Sequence, residues 1–284
     1  MSATRIILAA TCGRRLLVAT LLAAALGSAA AAEGITLKAT YYITIAGFTI
    51  GRVEAEGRFT DTVYAAAIKG STYGISRLVS DSQATLTGNG RISGTRVIPG
   101  AYSLATSEDG FETHVKMAMS GGSIVDVIAE PTLREVPDRV PLTPNHKRRV
   151  VDPVGAFMVA LGDSGPPDPA RVCERTVRIF DGWVRFDLSF YYKETKTIDG
   201  GADSYRGPAI VCAARYVPVA GHRRSAEDIA YMANNERLEA WLVPVDKTRL
   251  LVPYRLVIGT KIGDLVVSAK EFVAADGERH ASAK

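Results

Sequence analysis

Two short basic runs, His146-Lys147-Arg148-Arg149 and His222-Arg223-Arg224, are the clearest binding chemistry in the chain. Lys147, Arg148, Arg149, His222, Arg223 and Arg224 together have the charge for an anionic partner such as a lipid, a lipopolysaccharide or a phosphate, onto which guanidinium groups fork. The plainer alternative is a pair of ordinary solvated loops. Other reactive types are sparse. Cys173 and Cys212 lack CxxC spacing and make a poor zinc set. His114, His146, His222 and His280 have no ligand spacing with one another, and H-E-x-x-H, G-x-S-x-G, S-x-x-K and phosphate-loop patterns are missing. Asp152 stands before Pro153, the place of a helix cap rather than of an acid or base. The sequence therefore predicts no catalytic residue, no metal site and no cofactor.

The N-terminus places these residues in a compartment. Arg5, Arg14 and Arg15 precede the apolar run LLVATLLAAALGSAAAA, and Ala30-Ala31-Ala32 before Glu33 fits an A-x-A cleavage site. Residues 1–32 read as a secretory signal peptide, shorter in its apolar core than the roughly 20 residues of a membrane span. Cys12 lies before the apolar core and does not suit lipidation, and the flanks of Arg14-Arg15 fit a twin-arginine signal poorly. Residues 1–32 hold three arginines and no acid, so 34 basic against 30 acidic side chains become 31 against 30 in the mature chain. A near-neutral protein lacks the whole-domain basic field of a nucleic-acid binder. In an oxidising periplasm, two remaining cysteines predict a Cys173–Cys212 disulfide.

The elements that position these groups alternate with period two. In IGRVEAEGRF (50–59), Arg52, Glu54, Glu56 and Arg58 share one face. HVKMAM and SIVDVIAE flank Gly121-Gly122 as a hairpin. Gly88-Asn89-Gly90 and Pro99-Gly100 read as turns, as do Asp246-Lys247-Thr248 and Gly263-Asp264. About 11 to 14 short strands follow from this spacing. A helix is predicted over 153–161, where Val154, Phe157, Met158 and Leu161 form one stripe, and a second, short one follows Ser225. PTLREVPDRVPLTPNHKRR (131–149) and GDSGPPDPA (162–170) read as loops. The expected organisation is one β-rich domain over 33–275 with a disordered tail at 276–284.

RVCERTVRIFDGWVRFDLSFYY (171–192) reads as a hairpin around Asp181-Gly182. A two-residue loop pairs Ile179 with Val184, Val177 with Phe186 and Cys173 with Phe190 on the apolar face. Arg175 is the exception on that face, and Arg178 falls opposite Arg185. Cys212, on the next strand, then lies about 9.6 Å from Cys173, two strand spacings away, beyond disulfide reach. Either the sheet curls sharply, or Cys173 has left the strand, or the bond does not form. Tyr191, Tyr192, Tyr205 and Tyr216 either line a pocket or sit half-buried in the sheet.

The motifs R-x-V-D-P-x-x-A-F (149–157), C-x-x-T-x-x-I-F-D-G-x-x-R-F-D-L (173–188), R-Y-x-P-V-x-G-H (215–222) and A-W-L-V-P…L-V-P-Y-R-L…G (240–259) resemble the bacterial exported family known as domain of unknown function 3108. The resemblance covers roughly residues 36–273. It implies a periplasmic, mainly antiparallel β protein without an assigned activity. By fold-level analogy, it also implies a likeness to lipoprotein carriers and β-spiral envelope proteins. The expected fold is a strongly curled antiparallel sheet, an open barrel or β-spiral, with helix 153–161 in its concave side. The expected function is non-enzymatic support of envelope integrity by binding an envelope lipid, acyl chain or protein partner. The alternatives are a protein-binding scaffold without lipid cargo and an envelope hydrolase.

Overall fold

Alternating sequence becomes one antiparallel sheet. The computed structural model describes residues 34–74, 80–162 and 165–276. The expected signal peptide and its cleavage site lie outside them, as does the expected tail beyond Asp276. The strands are β1 (Ile35–Ile45), β2 (Phe48–Phe59), β3 (Val63–Thr72), β4 (Ser82–Ser93), β5 (Arg96–Glu108), β6 (Phe111–Ser120), β7 (Ser123–Glu130), β8 (Val159–Ala160), β9 (Arg175–Phe180), β10 (Arg185–Asp199), β11 (Arg206–Ala220), β12 (Leu238–Pro244), β13 (Leu250–Thr260) and β14 (Gly263–Asp276). Two short helices, α1 (Pro169–Cys173) and α2 (Glu227–Ala233), interrupt them. The strand order is β7-β6-β5-β4-β3-β2-β1-β14-β13-β12-β11-β10-β9, with β8 paired to β13. Pairing of β1 with β14 thus brings both ends of the described chain to the middle of the sheet.

Periodicity decides which face is buried. In β6, Val115, Met117 and Met119 are buried while Lys116 and Ala118 are exposed. The Gly121-Gly122 turn forms as expected, with φ of 59° and 80° that a side chain rarely adopts. Gly88-Asn89-Gly90 and Pro99-Gly100 do not turn. They lie inside β4 and β5, which join instead through Gly94 and Thr95. Gly88 is needed because an added Cβ would sit 2.8 Å from the Cβ of Val154, and at Gly90 it would sit 2.4 Å from the backbone oxygen of Ile98.

The expected strong curl, as of an open barrel or β-spiral, is corrected. The sheet is neither closed nor strongly curled, and β7 and β9 remain its two edges. A strap, residues 144–161, occupies the gap that pairing of these edges would need. Val150 N–H donates to Gly122 O (2.8 Å), Val151 N–H donates to Arg178 O (2.8 Å), and Phe180 N–H donates to Val151 O (3.1 Å). Bonds to the backbone thus cover part of each edge without a continuous ladder.

The expected helix 153–161 is also corrected. Only a 3-10 turn forms, at Gly155–Phe157, followed by β8. Asp152 does cap this turn: Oδ1 accepts from Val154 N–H (2.8 Å) and Gly155 N–H (3.0 Å). Pairing of Val159 with Leu251 and Ala160 with Leu250 then draws the chain into extended conformation. Tertiary pairing overrides the helical stripe. Val154, Ala156, Met158, Val159 and Ala160 are all buried, so the segment is apolar because it is covered on several sides.

Under the strap, Phe59, Tyr64, Tyr102 and Met117 share a core with Phe180, Val243, Tyr254 and Phe272. A second cluster gathers Val172, Cys173, Phe190, Cys212 and Leu242. The hairpin at 171–192 has the expected faces and a different register. Ile179 pairs with Phe186, Val177 with Leu188 and Arg175 with Phe190. Asp181 Oδ1 accepts from Trp183 N–H (2.9 Å) and Val184 N–H (2.8 Å), which makes a four-residue loop. The shift of two residues preserves the faces and replaces the unfavourable Arg178–Arg185 pairing with Arg178 opposite Asp187.

Candidate functional site

One end of the sheet holds a cavity of about 980 Å³ between the β4–β5 hairpin, the Gly121-Gly122 turn, the strap, and the wall made by α1 and β9. Its size matches an organic ligand rather than a single ion. Val150, Val151, Met158, Val159 and Leu161 of the strap give it an apolar lining. Arg91, Arg96, Arg149, Arg171, Arg175 and Arg178 also line it, against a single described carboxylate, Asp168. Asp168 already accepts from Ala170 N–H (3.0 Å) as the cap of α1. Among the described residues, none of the six arginines forms an ion pair.

Each wall is positioned by local chemistry. Helix α1 begins with the Asp168 cap and Pro169, and it ends at Cys173, bonded to Cys212 of β11 with Cα atoms 5.3 Å apart. The disulfide therefore pins the wall that carries Arg171 and leads into Arg175. On the strap, Arg149 has φ 54°, a left-handed conformation costly for a residue with a side chain. Arg178 stands on the opposite face of β9 from Arg175 and borders the cavity at the strand edge.

Arg175 differs from the other five, which are exposed. It lies opposite Phe190 with its guanidinium 5.2 Å from the ring centroid, a cation–π contact. Its Nε is buried without a hydrogen-bond partner among the described residues. Burial pushes the guanidinium down to about 10, so it remains charged at neutral pH. A half-buried cation whose buried Nε donor is unmet is an unfavourable arrangement unless an anion meets it.

The two basic runs expected to form a patch are divided. Lys147 Nζ sits 5.7 Å from the Phe180 ring centroid. Arg148 bridges Ser123 through its backbone. Only Arg149 of the six residues lines the cavity. His222 O accepts from Val140 N–H, Arg223 Nε pairs with Asp138 (3.2 Å), and Arg224 N–H donates to Asp138 O. The second run thus fastens residues 138–140 of the former loop. Sequence reasoning missed Arg91, Arg96, Arg171 and Arg178, which no linear motif joins. It did mark Arg175, as the charged exception on an apolar face.

The tyrosines named from sequence do not line the cavity. Tyr191 and Tyr192 are exposed, Tyr216 packs on Phe186 with centroids 5.2 Å apart, and Tyr205 joins Tyr254 and Phe272. Asp152 Oδ2 and the Tyr64 hydroxyl are buried side by side around Gly155, neither with a hydrogen-bond partner. Among the described residues, no group of three or more His, Cys, Asp or Glu is arranged to hold a metal ion. Nor is any described helix long and apolar enough to cross a membrane.

No curated protein matches the sequence. Among solved structures, the chain is similar to a beta-barrel-like protein of domain of unknown function DUF1849 from Brucella abortus. That similarity spans 86% of this chain and 99% of that one, at 10% identity and a TM-score of 0.49, too low to carry a functional argument. The model of the family described as protein of unknown function (DUF3108) matches residues 39–270, and the chain belongs to that family.

Proposed function

We propose that this is a non-enzymatic periplasmic binding protein that supports the cell envelope by holding an envelope component in the arginine-lined cavity. One observation carries the reading: a cavity of about 980 Å³ combines an apolar lining with six arginines that have no ionic partner among the described residues. That combination suits an amphiphile, whose charged end meets the guanidinium groups and whose apolar part covers the strap. The only carboxylate among the described lining residues already caps a helix, which gives little support to an acid–base role. The buried disulfide agrees with export to an oxidising compartment.

Native mass spectrometry of protein purified gently and without detergent tests this. The expected result is a retained non-covalent adduct from the envelope, and a clean unliganded mass would count heavily against cargo binding. A deletion strain tests the wider role, with detergent and β-lactam sensitivity as the expected phenotype. Indifference to every envelope stress would remove the integrity function.

A further inference from the structure

The placement of the arginines narrows the ligand, given that the cavity is a binding site. The strap runs between two groups of strands. On one side, an added Cβ at Gly155 would meet Pro99 and one at Gly162 would meet Thr95. On the other side, Val151 bonds to Arg178 and Phe180. Arg91 and Arg96 therefore border one side of the strap, Arg171 and Arg175 border the other, and Arg149 lies on the strap itself. A single carboxylate, as on a fatty acid, would neutralise one of these positions and leave the rest unpaired. A neutral apolar cargo would neutralise none. Phosphate oxygens take several N–H donors at once and carry more than one charge. Five exposed arginines around one half-buried arginine also suit capture by long-range attraction followed by a partly desolvated contact.

From this geometry we infer that the cavity receives a phosphate-bearing, polyanionic headgroup, with Arg175 as its inner contact. The inference rests on the binding-protein reading above and adds the chemical class of the ligand. Phosphate oxygen at the Arg175 Nε would satisfy a buried donor left unmet among the described residues.

Isothermal titration calorimetry on the oxidised protein tests it with three probes: dihexanoyl phosphatidic acid below its micellar concentration, inorganic pyrophosphate, and dihexanoylglycerol. Phosphatidic acid is expected to bind, more weakly as salt rises. Arg175→Met is expected to weaken it about 10- to 100-fold, with the melting temperature little changed, because relief of the buried, unmet Nε donor offsets the lost contact with Phe190. Should that variant fail to fold, exposed Arg149→Glu and Arg171→Glu carry the test, each weakening phosphatidic acid and flattening its salt dependence. Pyrophosphate binding as tightly as phosphatidic acid supports a free phosphorylated ligand, and weaker pyrophosphate binding supports a lipid headgroup. Dihexanoylglycerol binding as tightly as phosphatidic acid, or undiminished binding by the arginine variants, overturns the headgroup assignment and leaves the binding-protein reading standing. Failure of all three probes overturns the headgroup assignment, while the binding-protein reading stands or falls on the native mass.

Discussion

Cys212 reaches Cys173 because Cys173 is the last residue of α1 and not a residue of β9, which brings their Cα atoms to 5.3 Å. Had β9 continued through Cys173, two strand spacings, about 9.6 Å, would have separated them, outside disulfide range. Helix α1 folds back over β10 and β11 instead. Departure from the strand, not a sharply curled sheet, resolves the geometric problem that the sequence posed.

The bond closes a sequence separation of 39 residues and both cysteines are fully buried. Replacing both with serine is expected to cost about 2–4 kcal/mol of stability, read by denaturant unfolding. Native, unreduced protein from Glu33 onward should show no reactive thiol. Two free thiols in that assay would remove the bond from the account.

Asp152 is the polar centre of the strap. Asp152→Ala deprives the Val154 and Gly155 N–H groups of their acceptor and should cost about 1–3 kcal/mol. Asp152→Asn retains the accepting oxygen. Burial raises the Asp152 pKa, and the Gly155 and Val154 hydrogen bonds only partly oppose this. The folded state therefore holds the proton more tightly than the unfolded state does. The stabilisation is full below the ordinary carboxylate value of about 4 and is lost as pH rises through the raised value. Wild type should consequently lose stability relative to Asp152→Asn between acid and neutral pH. A pH-independent difference in their melting temperatures would contradict the raised pKa.

Much of the sheet was legible because burial on one face imposes period two, as at Val115, Met117 and Met119. The faces of β9 and β10 were legible for the same reason, while their register was not. The two-residue reading of Asp181-Gly182 missed that the Asp181 carboxylate would gather two backbone N–H groups and enlarge the loop. Gly88 and Gly90 looked like turn residues because the strap side chain that needs the space at Gly88, Val154, is remote in sequence. The cavity was least legible. Its arginines run from position 91 to 178 on β4, β5, the strap, α1 and β9, and only folding brings them around one volume. Lys147, Arg148 and Arg149 were visible as a run, yet Lys147 ends a 3-10 turn, Arg148 is extended and Arg149 is left-handed, so only Arg149 lines the cavity.

Gly221, in the P-V-x-G-H motif, has φ 86°, and an added Cβ would lie 2.2 Å from the backbone oxygen of Trp183. Gly221→Ala should therefore destabilise by more than about 3 kcal/mol, combining a left-handed backbone with a clash against main chain that cannot rotate away. Gly47 provides the control. Its φ is 87°, but nothing lies within 4 Å of its would-be Cβ. Gly47→Ala should cost only the conformational part, about 1–2 kcal/mol. Equal losses in denaturant unfolding would show that the contact with Trp183 contributes nothing.

His222 tests the fastening of residues 138–140 through pH. Its backbone oxygen accepts from Val140 N–H, and Asp138, Arg139, Arg223 and Arg224 surround it. Its Nδ1 is buried without a hydrogen-bond partner among the described residues, while the Ala220 backbone bears on the ring and favours its protonated form. Burial first, and then the Arg224 charge, lower its pKa from the ordinary 6.5. Because the folded state resists the proton, the contribution of His222 to stability is full above 6.5 and is lost as pH falls through that value toward the lowered one. His222→Gln, which cannot titrate, should show a shallower loss of stability over that interval. Titration of the imidazole by NMR should give a midpoint below 6.5, while a midpoint above it would mean that the hydrogen bond to the Ala220 backbone outweighs burial and the Arg224 charge.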